Sequence, residues 1–186
     1  TYGEDPWHLG QFGVAATEAI QKHNVMASPK HYALNSIENS RFVVNVELDE
    51  RTLREVYLPH FKKVVQEGGT ASLMSAYNMA LGEYVSNNRY LLTDVLRNDW
   101  GFQGFVHSDW FFAMYDPVAS IKAGLNIEMP LSKVYNKKDI KAALESGEIT
   151  EEDIDQLILP ALKTRLKYAF AQDSIEYDEA LLASPE

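Results

Sequence analysis

The stretch GFVHSDW (104–110) places a carboxylate, Asp109, directly behind an apolar run, with Trp110 beside it. An aspartate in that position has two quite different uses. It can cap the helix that follows by accepting from free backbone N–H groups. It can instead stand ionised at a strand end and attack an electrophilic carbon. Other residues bear on the choice. Lys30-His31 supplies two adjacent donors able to hold neighbouring hydroxyls, although such a pair is about as often merely a solvated surface pair. Tyr77, in SAYN (75–78), has a hydroxyl that can orient a carboxylate or serve a packing residue as its one polar handle. Trp110 is either core or a flat platform for the apolar face of a ring. Glu128, in LNIEMP (125–130), points into the interior or at its rim. Glu38 and Arg41 are three apart and are read as a structural pair. His8, His23 and His60 lack metal-ligand spacing, and no Gly-rich phosphate loop occurs.

The elements that must position these groups alternate between strand and helix periodicity, the pattern of an α/β protein. Asp5-Pro6 opens a helix running to about Asn24. VMASPKHYA (25–33) reads as a strand leading into a loop. Asp49 caps a helix with the stripe Leu53, Tyr57, Phe61, Val64 and Val65, in which Pro59 predicts a kink. TASLMSAYN (70–78) is a second strand, and a helix follows from Asn88. GFVHS (104–108) is a third strand, Asp116-Pro117 starts a short helix ending at Gly124, and LNIEMP is a fourth strand. Two helices follow, the second opened by Thr150 and Asp153 as a capping box. Four strand–helix units make half of a (β/α)8 barrel, or else a small open doubly wound sheet. Lys30, His31, Tyr77, Asn78, Ser108, Asp109 and Glu128 all fall at the C-terminal ends of strands, the rim where barrels do chemistry. This favours the barrel.

The bulk numbers restrict the partners. With 17 Lys plus Arg against 27 Asp plus Glu, the net charge of −10 opposes binding to nucleic acid or to anionic lipid. No apolar run approaches the roughly 20 residues that span a bilayer. The chain has no Cys, which removes disulfide and thiolate chemistry without fixing the compartment. The opening TYGEDPWHLG has neither an initiator Met nor a signal sequence and reads as an excised or processed segment.

The blocks GEDPWHLG, KHYALNSIENSR, DERTLREVYLPHF, SLMSAYN, NNRYLLTDVLRNDWGFQGFVHSDW and AGLNIEMP occur in this order, within a likeness that covers roughly residues 3–170. Together they closely resemble the barrel domain of glycoside hydrolase family 3, in its β-glucosidase and β-xylosidase branch. The β-N-acetylglucosaminidase branch typically continues after Lys-His with PGHG, where this chain has YALN. The resemblance implies a (β/α)8 TIM-type barrel, with residues 1–171 as its C-terminal half and 172–186 as a linker towards a following domain. It implies Asp109 as the nucleophile of a retaining exo-β-glycosidase acting on terminal β-D-glucosyl or xylosyl residues. Lys30, His31, Tyr77 and Trp110 then form the sugar subsite. The acid/base comes from outside the chain, Glu128 and Glu38 being weak candidates, and the remaining barrel half is the expected partner. No cofactor or metal is implied. The chain departs from the family at YNMALGEY (77–84), which stands where YN-x-x-NG-x-P is common, at His107 in place of an aliphatic residue, and at FFAMYD (111–116). The competing readings are a non-catalytic carbohydrate-binding or scaffold fragment and, less favoured, an open α/β phosphate binder.

Overall fold

The computed structural model describes residues 2–170. Helix α1 (Pro6–Lys22) is capped by Asp5, whose side chain accepts from His8 N, with Pro6 at the first turn. A two-residue strand, β1 (Asn45–Val46), precedes α2 (Glu50–Thr52), which Asp49 caps. A π-type turn over Leu53–Tyr57 follows, in which Leu58 N donates to Leu53 O, and α3 (Pro59–Gln66) then begins. Pro59 therefore does more than kink a helix. Lacking an N–H, it takes the first position of a new helix, where that donor would be unused anyway.

The main sheet contains β2 (Ser72–Met74), β5 (Phe105–Trp110) and β6 (Ile127–Met129), all parallel. The chain at Ala27–Tyr32 lies along the free side of β2. Ser72 N donates to Ala27 O, Met74 N to Pro29 O, and Tyr32 N to Met74 O. Four extended segments thus stand side by side in sequence order, and the order never reverses. A doubly wound sheet would show a reversal; a sequential arc is what a barrel wall requires. Among the described residues the arc stays open: the about four strand–helix units expected from the sequence form a partial α/β arc and not a closed barrel. A second small sheet joins β1 to β3 (Met79–Ala80) and β4 (Glu83–Tyr84). The segment following Tyr77 is therefore a hairpin, a feature the sequence reading missed.

Helices cover one face of the arc. The π-type helix Tyr90–Asp99 buries Leu91, Leu92, Val95 and Leu96, with Asn88 Oδ1 accepting from Leu91 N at its start. These side chains meet Tyr32, Leu53, Leu58, Leu73, Val106 and Leu125 in one core. Each fully buried Leu contributes roughly 1.5–3 kcal/mol of apolar transfer. Helix α4 (Pro117–Ala123) is capped by Asp116 and stopped by Gly124 in the left-handed region. After β6 come α5 (Lys137–Ser146) and α6 (Glu151–Ala169), the latter with both bonds of the Thr150–Asp153 capping box in place. Gly104 marks the tightest approach in the sheet: a Cβ there would lie 2.2 Å from Ala71 O. Residues 172–186, read from the sequence as a linker, lie outside the described residues.

Candidate functional site

Asp109 caps no helix. Strand β5 continues through it to Trp110, and the next helix is capped by Asp116. Between His107 and Trp110, β5 advances three residues while β6 advances two, from Ile127 to Met129. Such a bulge twists the strand locally and re-aims the side chains upon it. The Ser108 hydroxyl accepts from Met129 N at 2.9 Å and holds the bulged stretch against β6. Asp109 ends at the C-terminal end of the arc, only 7% exposed.

Its two oxygens have different surroundings. Oδ1 accepts from Trp110 N at 2.7 Å. Oδ2 lies 3.1 Å from His31 Nε2. That contact is not a well-aligned hydrogen bond, and among the described residues no donor is directed at Oδ2. Buried polar atoms nearly always find a partner, so an uncommitted carboxylate oxygen calls for a functional explanation. Burial alone would raise the Asp109 pKa. The His31 ring and the Trp110 amide outweigh it and hold the carboxyl below its ordinary range. Asp109 is accordingly an anion at neutral pH.

Tyr77, just past β2, reaches across to the same place. Its hydroxyl donates to Trp110 O at 2.6 Å. A hydroxyl has one proton, so this short bond takes precedence over any donation to the nearby carboxylate. Burial first, and the Asp109 charge second, push the Tyr77 phenol up to about 12. His31 is brought in by its neighbour: Tyr32 is fully buried, donates to Leu91 O at 2.9 Å and meets Phe61 and Trp100 edge-on. Trp110 is partly exposed beside Asp109. Lys30 is exposed and makes no contact with Asp109; the side chain beside the carboxylate is that of His31.

Glu128 is otherwise engaged. Its oxygens accept from Val134 N and Tyr135 N at 2.7 to 2.9 Å and tie down the turn after β6. Glu38 is exposed and pairs with Arg41 at 2.7 Å, as the sequence reading expects. The sequence reading missed the second contact of Arg41, whose guanidinium lies 4.5 Å from the centre of the Tyr77 ring. It also missed Ser28, whose hydroxyl stands 2.8 Å from His107 Nε2, while His107 Nδ1 lies 3.0 Å from Ser108 O. His107 itself was visible as an odd residue in an apolar strand, but its partner lies 79 residues away. Burial lowers the His107 pKa, and its partners are a hydroxyl and a carbonyl, consistent with a neutral ring. Among the described residues no group of three His, Asp or Glu side chains is placed to hold a metal ion.

Residues 1–159 match the glycosyl hydrolase family 3 N terminal domain. The chain belongs to glycosyl hydrolase family 3. Within that family, thermostable beta-glucosidase B of Acetivibrio thermocellus is 40% identical over 162 residues, covering 87% of this chain and 21% of its own. An exo-alpha-(1->6)-L-arabinopyranosidase of Bifidobacterium breve is 37% identical over 179 residues, covering 95% and 23%. Among solved structures, the beta-glucosidase from Kluyveromyces marxianus in complex with glucose superposes with a TM-score of 0.89 at 34% identity, over 91% of this chain and 20% of that one. The chain thus spans about a fifth of the length of these family 3 proteins.

Proposed function

We propose that this chain carries the nucleophile half of a retaining exo-β-glycosidase that releases terminal, non-reducing β-D-glucosyl or β-xylosyl units, with Asp109 as the nucleophile. One observation carries the reading. A buried carboxylate, ionised and with an uncommitted oxygen, stands at the C-terminal rim between His31 and Tyr77. Oδ2 attacks the anomeric carbon as the aglycone oxygen departs, forming a glycosyl ester; water then cleaves that ester and releases the sugar. The bond to Trp110 N fixes the carboxylate and leaves Oδ2 for attack. Tyr77 stays protonated and keeps the backbone at Trp110 in place. Lys30 and His31 hold ring hydroxyls, and Trp110 offers its face to the sugar. The relatives' names include both a glucosidase and an arabinopyranosidase, and this reading assigns the choice among pyranoses to contacts around Asp109.

A retaining reaction also requires an acid/base carboxyl about 5–5.5 Å from the nucleophile. Glu128 is held by two backbone amides and Glu38 by Arg41, so this reading takes the acid/base from outside the described residues. It likewise treats the open arc as one half of a (β/α)8 barrel. Trp7, Phe12 and Ile20 on α1, and Leu159, Leu162 and Leu166 on α6, are exposed apolar side chains. They leave an apolar face open on each of these helices, which further barrel units would cover.

The test is incubation with an activated 2-deoxy-2-fluoro-β-glucoside and its xylose counterpart, followed by intact-mass and peptide mass spectrometry. The expected result is a single glycosyl adduct on Asp109. An adduct on another carboxylate, or none on folded protein with either probe, would sink the assignment and favour the non-catalytic carbohydrate-binding reading.

A further inference from the structure

One imidazole spans the bulge that carries Asp109. His107 and Trp110 flank the bulge, and their rings meet edge-on with centres 6.3 Å apart. Within it, Ser108 O lies 3.0 Å from His107 Nδ1, and Ser108 Oγ accepts from Met129 N at 2.9 Å. A bulge disrupts the ladder locally, so side chains have to fix its shape. A carbonyl only accepts, so His107 Nδ1 carries the hydrogen and Nε2 of the neutral ring presents a lone pair. The Ser28 hydroxyl, 2.8 Å away, therefore donates to Nε2. Burial is the main influence that keeps this ring neutral. The Lys30 charge acts the same way, against the Ser108 carbonyl and the Asp109 charge.

This brace and the candidate site share the same two segments. Ser28 and His31 both lie on the first extended segment, and His107 and Asp109 both lie on β5. Ser28–His107 at 2.8 Å and His31–Asp109 at 3.1 Å are thus two rungs over one gap, and both reach across β2. Met74 N donates to Pro29 O and Ser75 N to His107 O, so β2 ties the backbone on both sides. Packing does not require polar atoms at this level. An aliphatic residue, the more usual one at this position of the family, would fill the space with no donor or acceptor to satisfy. The imidazole instead brings two nitrogens into a partly buried place, and both are engaged. A polar network satisfied in this way rigidifies what it joins.

We propose that His107, tied to Ser28, is a positioning residue that aims the Asp109 carboxylate by fixing the bulge in β5. This rests on the reading of Asp109 as nucleophile, because aim matters only to a group that attacks. The brace itself touches no reacting atom. It works through the Ser108 carbonyl and through the spacing of the first segment from β5, which also sets how closely His31 approaches Asp109. A misplacement of about 1 Å at a reacting group can cost on the order of 100-fold in rate.

The experiment has two arms, both on the full natural protein. The first follows the rate of trapping by an activated 2-deoxy-2-fluoro-β-glucoside against pH. Ser28→Ala should slow trapping by about tenfold. It should also move the acid limb to higher pH, because a looser His31 opposes burial at Asp109 less. Ser28→Thr, which keeps the hydroxyl, should restore both. In a His31→Gln background Ser28→Ala should leave the limb in place, since the two effects run through one contact. A packing role alone would lower the denaturation midpoint of Ser28→Ala and leave its limb unmoved. That result would overturn the proposal, as would a Ser28→Thr variant that behaves like Ser28→Ala. The second arm needs no turnover. Nitrogen-15 NMR of histidine-labelled protein, with His107→Gln to identify the signal, reads the tautomer of the ring. Hydrogen on Nδ1, with an Nε2 signal that shifts in Ser28→Ala, is expected; hydrogen on Nε2 alone would overturn the brace. If the folded parent is not trapped at all, the nucleophile reading fails and takes the proposal with it. If the parent is trapped and the Ser28→Ala limb does not move, the proposal alone fails.

Discussion

His31 Nε2 lies 3.1 Å from Asp109 Oδ2, a contact between the first extended segment and a bulge in the third. His31 is the leading influence that offsets burial at the carboxylate. Replacing His31 with Gln therefore has a definite sign. Asp109 has a folded pKa below its unfolded value, so the associated stability is present above the ordinary carboxylate range and is lost as pH falls through the lower folded value. Without the ring, burial is opposed chiefly by the Trp110 amide, and the pKa rises. The acid limb of the rate of trapping by a fluoro-sugar should move to higher pH in His31→Gln. An unmoved limb would show that the titrating group is not Asp109.

Asp109→Asn keeps the shape of the side chain and an oxygen able to accept from Trp110 N. It removes the negative charge that attacks. Glycoside turnover should fall by roughly 10³-fold or more, with thermal unfolding within a few degrees of the parent. A loss of less than tenfold would exclude a nucleophilic role.

Tyr77→Phe deletes the 2.6 Å bond to Trp110 O but keeps the ring against Phe42 and under Arg41. Loss of one hydrogen bond of this kind costs about 0.5–1.5 kcal/mol, readable as a lower denaturation midpoint at an unchanged slope. Because the Tyr77 phenol titrates only near 12, the parent activity should show no basic limb arising from it between pH 7 and about 10.

Glu128→Gln tests whether this carboxylate is structural. One of its two acceptor oxygens becomes an NH₂ group facing the Val134 and Tyr135 amides. The expected loss is about 1–3 kcal/mol of stability, measured by chemical denaturation, without the selective slowing of poor leaving groups that loss of an acid catalyst produces. Such a selective effect would restore Glu128 as the acid/base.

Much of the scaffold was legible because its signals are local. The caps at Asp5, Asp116 and Thr150, and the stop at Gly124, each satisfy backbone groups within one turn of themselves, so residue type and spacing suffice to find them. Pro59 was harder to judge, since a π-type turn absorbs the register change and turns an expected kink into a fresh helix start. The hairpin at 79–84 pairs with the short strand at Asn45–Val46, a partner that no periodicity in the hairpin itself announces. At the site, the residue types were visible but their relations were not. Whether Asp109 caps a helix or lies within a strand depends on a bulge against β6. The choice of His31 rather than Lys30 as its neighbour depends on how Tyr32 is buried some 60 residues from its acceptor.

The sequential order of the strands also bears on how the molecule assembles. The bond between Val106 and Asn126 closes 20 residues of chain, whereas that between Ser72 and Ala27 closes 45. Closure entropy alone favours the shorter loop by about 0.7 kcal/mol, and local contacts generally form faster than distant ones. The β5–β6 unit, with its bulge and Asp109, is thus favoured to form before His31 is delivered from the far side of β2. On loop length the carboxylate has the shorter closure, and His31 comes to it across the longer one.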